Sequence, residues 1–213
     1  MRMTDPPGRT PQRSNARSNR ARILAAAREE LRDNPDASLD SIAQAAGVVR
    51  RTLYGHFPGR RELVAALAQE AGEAFGRAFT AARAPGADTL EAMARMALAG
   101  WAVGDQYRML ISLGRRHLGE EAMRATLAPA REQAASILQR GQDEGLFADH
   151  VPAPVLALGL EALMLALAEE NASATWADPT GEAAATAFLV AAGVTPQMAA
   201  VRVRAVLHES VGR

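Results

Sequence analysis

Five side chains that can donate hydrogen bonds crowd one short stretch of this chain: Arg50, Arg51, Thr52, Tyr54 and His56. Leu53 and Phe57 stand among them, two large apolar residues four apart. In a helix that spacing turns Leu53 and Phe57 toward a core and leaves the cations, hydroxyls and imidazole outside. A short helix with a buried pair and a donor-rich face suits the major groove of DNA. Arg50, Arg51 and Thr52 are the candidates for base edges, arginine to guanine being the commonest specific contact. Tyr54, His56, Arg60 and Ser38 are the candidates for phosphates, which set register without reading sequence.

The residues upstream make a second helix that would position the first. Leu39, Ile42, Ala43 and Ala46 recur at helical spacing. Ser38 is placed to cap that helix through its hydroxyl, and Asp40 favours the positive end of its dipole. Gly47 follows where the chain must turn sharply, which suits a residue free to adopt positive φ. Pro58 and Gly59 end the donor-bearing helix. The bland alternative is an ordinary packed helical hairpin.

The run Gly47, Val48, then Thr52-Leu53-Tyr54, then His56-Phe57, with Arg60 and Leu63 beyond, resembles the signature of TetR-type (tetracycline-repressor-like) transcriptional regulators. The likeness covers Arg20 to Leu67 and is looser over the remainder. Two positions depart from it. Val49 stands where the family usually has a serine or threonine to cap the recognition helix, and Arg51 where a small residue is common. The resemblance implies a homodimeric, ligand-responsive regulator, a repressor released from a palindromic operator on double-stranded DNA by a small-molecule effector. It also implies that Arg60 meets a phosphate and that the inducer pocket lies in the helices after it.

Composition agrees with an all-α chain: helix formers dominate and no sustained alternating run appears. The chain has 213 residues, enough for one large or two modest domains, and no cysteine, which excludes disulfides and cysteine-ligated zinc. The formal charge of zero hides an asymmetry: through Ala66 there are 12 arginines against 7 acids, and beyond it 12 against 17. A positive end and a negative end suggest a nucleic-acid-facing domain joined to one that is not. No signal peptide is visible, and the most apolar run, 153–168, is too short to span a bilayer. The expectation is a soluble cytoplasmic protein with no membrane partner.

Three segments follow: a disordered basic arm over 1–17, a three-helix helix-turn-helix domain over 18–66, and a larger helical effector-binding and dimerisation domain over 67–213. In the arm, Pro6, Pro7, Pro11 and Ser14 stand among arginines with almost nothing apolar. A first helix is expected from Ser18 to Asp33 on the stripe Ile23, Leu24, Ala27 and Leu31, and a fourth from Arg60 to Ala82. Helices are then expected over 88–101, 106–117 and 120–144, the last kinked or restarted at Pro129. Met93, Met96, Trp101, Tyr107, Met109, Met123 and Leu127 on these helices are the candidate ligand-binding residues, since methionine and aromatic side chains suit adaptable apolar pockets. The same spacing also describes plain core. Arg115, Arg116 and His117 could orient an anionic ligand or simply close a helix.

The helix over 153–170 is apolar nearly all round, so it must be buried on most of its surface. By resemblance, it and a helix over 182–192 form a four-helix interface with their symmetry mates. A last helix runs from Pro196 to His208. No catalytic constellation, metal motif or cofactor signature is visible: the histidines at 56, 117, 150 and 208 are scattered, and there is no glycine-rich phosphate loop. The chain is therefore not read as an enzyme. The alternative reading is a helical small-molecule-binding protein or enzyme that retains a regulator-like N-terminus.

Overall fold

Local chemistry sets the first helices. In the computed structural model, which describes residues 10–171 and 176–211, α1 spans Thr10–Asp33, α2 Leu39–Ala45, α3 Arg50–His56 and α4 Arg60–Ala82. Ser38 caps α2, its hydroxyl oxygen accepting from the Ser41 N–H at 3.0 Å. Val49 occupies the equivalent place before α3 with no side-chain bond, and is 70% exposed. Gly47 takes φ +62° between them, and the Gly47 and Val48 N–H groups donate back to the Gln44 and Ala43 carbonyls, each at 3.0 Å. That paired closure is the glycine-based helix stop the sequence called for.

The helix α1 begins at Thr10, eight positions before the start expected from its apolar stripe. Residues 10–17, expected to belong to a disordered arm, are therefore helical, while residues 1–9 of that arm lie outside the described residues. Once Ile23, Leu24, Ala27 and Leu31 fix the helix by burial, extending it backwards adds a hydrogen bond per residue without a new nucleation step. Pro11 sits in the first turn, where its missing N–H removes no helical bond.

The chain divides into two compact units, Met1–Leu67 and Ala68–Arg213, the boundary falling inside α4. In the first unit α1 packs on α2 and α3. Its buried residues include the stripe of α1, then Ala37, Ile42, Ala43 and Ala46, then Leu53 and Phe57, and finally Leu63, Val64, Ala66 and Leu67 at the start of α4. Two arginines tie its turns. Arg22 Nη2 donates to the Ala46 and Gly47 carbonyls at 2.7 and 3.0 Å. Arg60 donates through Nη1 to the Ala37 carbonyl at 2.5 Å and through Nη2 to that of Pro35.

The second unit is built around α5 (Thr89–Gln106), which packs on α7 (Glu120–Asp143), α8 (Ala153–Glu170), α9 (Glu182–Ala191) and α10 (Pro196–Val211); α6 (Met109–His117) packs on α7 and α8. Leu90, Met93, Ala94 and Ala97 give α5 a buried stripe at helical spacing. Asp88 caps it, accepting from the Glu91 N–H at 2.7 Å. This helix runs five residues past the expected end at Trp101, because Gly104 is tolerated inside it. No break occurs at Pro129, and α7 continues through it. Pro129 lies on the exposed face, and Ala125, whose carbonyl loses its partner, is itself exposed to water. Arg95 on α5 pairs with Glu91 at 2.7 Å and with Glu209 on α10. The hydrogen bond that Arg95 donates to Glu91 holds the Arg95 pKa above its ordinary value, burial works against it, and Glu209 adds to the rise.

Candidate nucleic-acid interface and ligand cavity

The donor-rich helix stands as its spacing requires. Leu53 is fully buried and Phe57 nearly so, with the Arg20 guanidinium 5.5 Å from the centre of the Phe57 ring. Arg50, Arg51 and Tyr54 are exposed, and Thr52 and His56 are half-buried. Arg50 forms an ion pair with Asp40 of α2, both side chains well exposed. That pair offsets two arginines standing at the positive end of α3, where the helix dipole disfavours them. With 69% of its side chain exposed, Arg50 can exchange Asp40 for another acceptor at little cost.

Two residues expected at phosphates are engaged within the chain. Ser38 uses its hydroxyl oxygen as the α2 cap and stays exposed. Arg60 directs its guanidinium to the Pro35 and Ala37 carbonyls and so clasps the turn before α2. The Arg22 clasp on the turn after α2 has no counterpart among the sequence expectations. A long side chain reaching a carbonyl more than twenty residues away leaves no local pattern.

The candidate ligand residues separate into two sets. Met96, Trp101 and Leu127 line a cavity of about 90 Å³ within the second unit, together with Phe75, Phe79, Met164 and Phe188. Met93 is fully buried core between α5 and its neighbours. Met109 is buried outside the cavity wall, and Tyr107 is buried with its hydroxyl donating to Glu70 Oε1 at 3.0 Å. Met123 packs against Gly114 so closely that a Cβ there would overlap its Sδ, and it lines a separate groove with Ile111 and Leu158. Trp101 also faces outward from the cavity: its Nε1–H donates to the Asp178 carbonyl at 2.9 Å, and its ring meets Trp176 edge-on at 5.7 Å. Asp178 is held in turn, its N–H donating to Asn171 Oδ1 and its Oδ2 accepting from the Ala184 N–H, each at 2.8 Å.

Sequence reasoning missed a charged pair on the cavity wall. Arg131 of α7 donates to Glu161 of α8 through Nε at 2.8 Å and Nη2 at 3.1 Å. The two lie thirty positions apart, and only the packing of α7 on α8 brings them together. Arg115, considered for an anionic ligand, instead stands 3.5 Å from Glu169 with 56% of its side chain exposed. Arg116 and His117 occupy the last turn of α6, where the dipole favours cations. Among the described residues no group of three or more histidines and acids could hold a metal, and no helix is long and apolar enough to cross a membrane.

The surface of α8 is unusual. Val155 and Leu158 are 54% and 42% exposed, and Pro154, Gly159, Ala162 and Ala166 are exposed beside them. Glu161, paired to Arg131, is its only charge before Glu169. By contrast α9 gives Ala184, Ala185, Phe188 and Leu189 to the core of its own unit and leaves Ala183, Val190 and Ala191 outside. Met198 and Val201 of α10 are also exposed.

Comparison with known proteins bears on both units. Residues 23–67 match the family described as bacterial regulatory proteins, tetR family. Over 56 residues the chain is 43% identical to TtgW of Pseudomonas putida, an uncharacterized HTH-type transcriptional regulator; this is 25% of the chain and 42% of the relative, so the chain spans less than half of that relative's length. The fold is similar to that of the TetR-like regulator LfrR from Mycobacterium smegmatis in complex with proflavine, with a TM-score of 0.66 at 24% identity over 84% of this chain and 96% of that one. It is also similar to RolR in complex with resorcinol, with a TM-score of 0.55 at 20% identity over 90% and 95% of the two chains. At these identities the likeness shows the fold. The matched segment ends where the first unit ends and carries both helices of the helix-turn-helix, so residues 23–67 are a helix-turn-helix segment matching the tetR family of bacterial regulatory proteins.

Proposed function

We propose that this protein is a homodimeric transcriptional repressor that a small-molecule effector releases from a palindromic operator. The observation that carries the reading is α3, a helix that buries Leu53 and Phe57 and exposes Arg50, Arg51 and Tyr54. Arg50, Arg51 and the half-buried Thr52 would meet base edges, with Tyr54 and His56 at phosphates. Arg60 and Ser38 would support this face from behind, by fixing the turn before α2 and the start of α2.

The dimer face would centre on α8, whose run of exposed apolar residues has no charge to hold water, and would include the outer side of α9. Two-fold symmetry would then set two recognition helices one DNA turn apart, ~34 Å. The effector would enter the cavity between α5, α7 and α8, whose apolar wall and few polar groups are those of a small-molecule site. LfrR and RolR, similar in fold, are known with proflavine and resorcinol, which supports a small-molecule role here. An effector that prefers the conformation with badly spaced recognition helices would lower operator affinity by population shift.

Selection of bound sequences from random duplex DNA at about 150 mM salt, where non-specific attraction is suppressed, tests the reading. Recovery of one palindrome is the expected result. Equal retention of all sequences would refute it.

A further inference from the structure

We propose that an open groove between the end of α4, the first half of α5 and α7 binds a small organic anion, an apolar body ending in a carboxylate. All of the groove lies within the second unit. Its volume is about 390 Å³, against the roughly 150 Å³ that holds a benzene ring, so there is room for a ring and a short chain. Phe79, Met96 and Ile137, with alanines between them, offer the body an apolar surface. The groove is distinct from the smaller cavity, though Phe79 and Met96 line both, and the proposal does not rest on the regulatory reading.

Charge sets the head group. Arg83 and Arg140 line the groove, and no Asp or Glu does. The chain beyond Ala66 carries 17 acids against 12 arginines, so acidic partners are not scarce. Among the described residues of this unit every other arginine is engaged, as Arg77 is with Glu73 and Arg204 with Glu182. Arg83 and Arg140 have neither an ion pair nor a side-chain hydrogen bond among the described residues, and they share one groove. A helix C-terminus favours a cation, and each stands at one: Arg140 in the last turn of α7, Arg83 just after α4. That preference places each singly and does not explain why acids are missing from the wall they share. Gln133, Ser136, Ile137 and Arg140 form one stripe of α7 at spacings that share a helix face. The Gln133 amide and the Ser136 hydroxyl also make no side-chain hydrogen bond among the described residues. Four donor side chains therefore line one groove with no carboxylate to take them. An incoming carboxylate supplies two acceptor oxygens of the kind a guanidinium fork matches. A cationic head would add a third like charge, and a neutral one would leave both arginines to water.

Isothermal titration of the full chain with three probes tests this: phenylbutyrate, phenylbutylammonium and inorganic phosphate. Phenylbutyrate should bind saturably. The other two should bind roughly tenfold more weakly or worse, one having the wrong charge and the other no apolar body. Arg83→Gln and Arg140→Gln should each weaken phenylbutyrate about fivefold, a modest loss because both side chains are exposed. Neither side chain has a partner to lose among the described residues, so both variants should keep the native helical circular dichroism. Phenylbutyrate bound equally well by both variants would put the anion elsewhere and overturn the proposal. Phosphate bound as tightly as phenylbutyrate would also overturn it, leaving two exposed cations that collect any anion. So would the absence of phenylbutyrate binding up to its solubility.

Discussion

Replacing Arg60 separates a structural role from a DNA-binding one. Its guanidinium bridges the Ala37 and Pro35 carbonyls from the first turn of α4. Ala37 is buried, so its carbonyl loses a charge-assisted bond in a part-buried place, about 1.5 kcal/mol; Pro35 is exposed and its bond adds about 0.5. Arg60→Ala should therefore destabilise the first unit by about 2 kcal/mol, a factor of about 30 in the opening equilibrium. Hydrogen exchange followed by mass spectrometry on peptides covering α2 reads this directly, since amides there exchange through opening of the unit. Their rates should rise about 30-fold, and less in Arg60→Lys, which keeps the charge but not the fork. The salt dependence of DNA binding should keep its slope in both variants. Unchanged exchange in α2, together with a loss of about 0.9 from the slope of log affinity against log salt, would refute the clasp and return Arg60 to a phosphate.

Four further outcomes follow from positions already described. Val49→Ser should stabilise the first unit by about 1 kcal/mol in urea unfolding, because Val49 already has extended N-cap geometry and its exposed side chain buries almost nothing. Gly47→Ala should destabilise by about 2 kcal/mol, from the left-handed backbone and from a Cβ placed 2.9 Å from Arg22 Nη2; a neutral result would mean the turn relaxes to negative φ. Arg50→Ala should weaken operator binding by about 1–3 kcal/mol and relax one base position in a mobility-shift competition. Leu158→Glu should leave the helical circular dichroism intact and halve the mass seen by analytical ultracentrifugation; a persistent dimer would place the interface off α8.

The helix-turn-helix was legible because its information is local. The cap at Ser38, the turn at Gly47 and the pair Leu53 and Phe57 each act within one or two turns of chain, and the structure uses each as written. Helix ends were less legible. The stripe of α1 marks only the part that packs, while its polar N-terminal turns extend by propagation alone. The candidate ligand residues show where periodicity stops helping. Met93 and Met96 share one helix and one residue type, yet one is core and the other lines a cavity. The difference lies in what α7 and α8 leave unfilled beside them. Arg131 and Glu161 were invisible for the same reason: each is an ordinary charge on its own helix, and only their meeting makes a polar wall.

The arginine clasps also bear on the lifetime of the fold. Both turns flanking α2 are held from another helix: Arg22 lies 24 and 25 positions from its two acceptors, and Arg60 lies 23 and 25 from its own. Contacts of that range are expected to close only after α1, α2 and α4 have docked, which would place them after the folding transition state. Interactions formed after the barrier leave the folding rate alone and slow the return across it. Removing a clasp should therefore shift only the unfolding limb of the kinetics, raising its rate at a given denaturant. In this small unit the apolar stripes choose the fold, and two arginines would set how long each molecule keeps it.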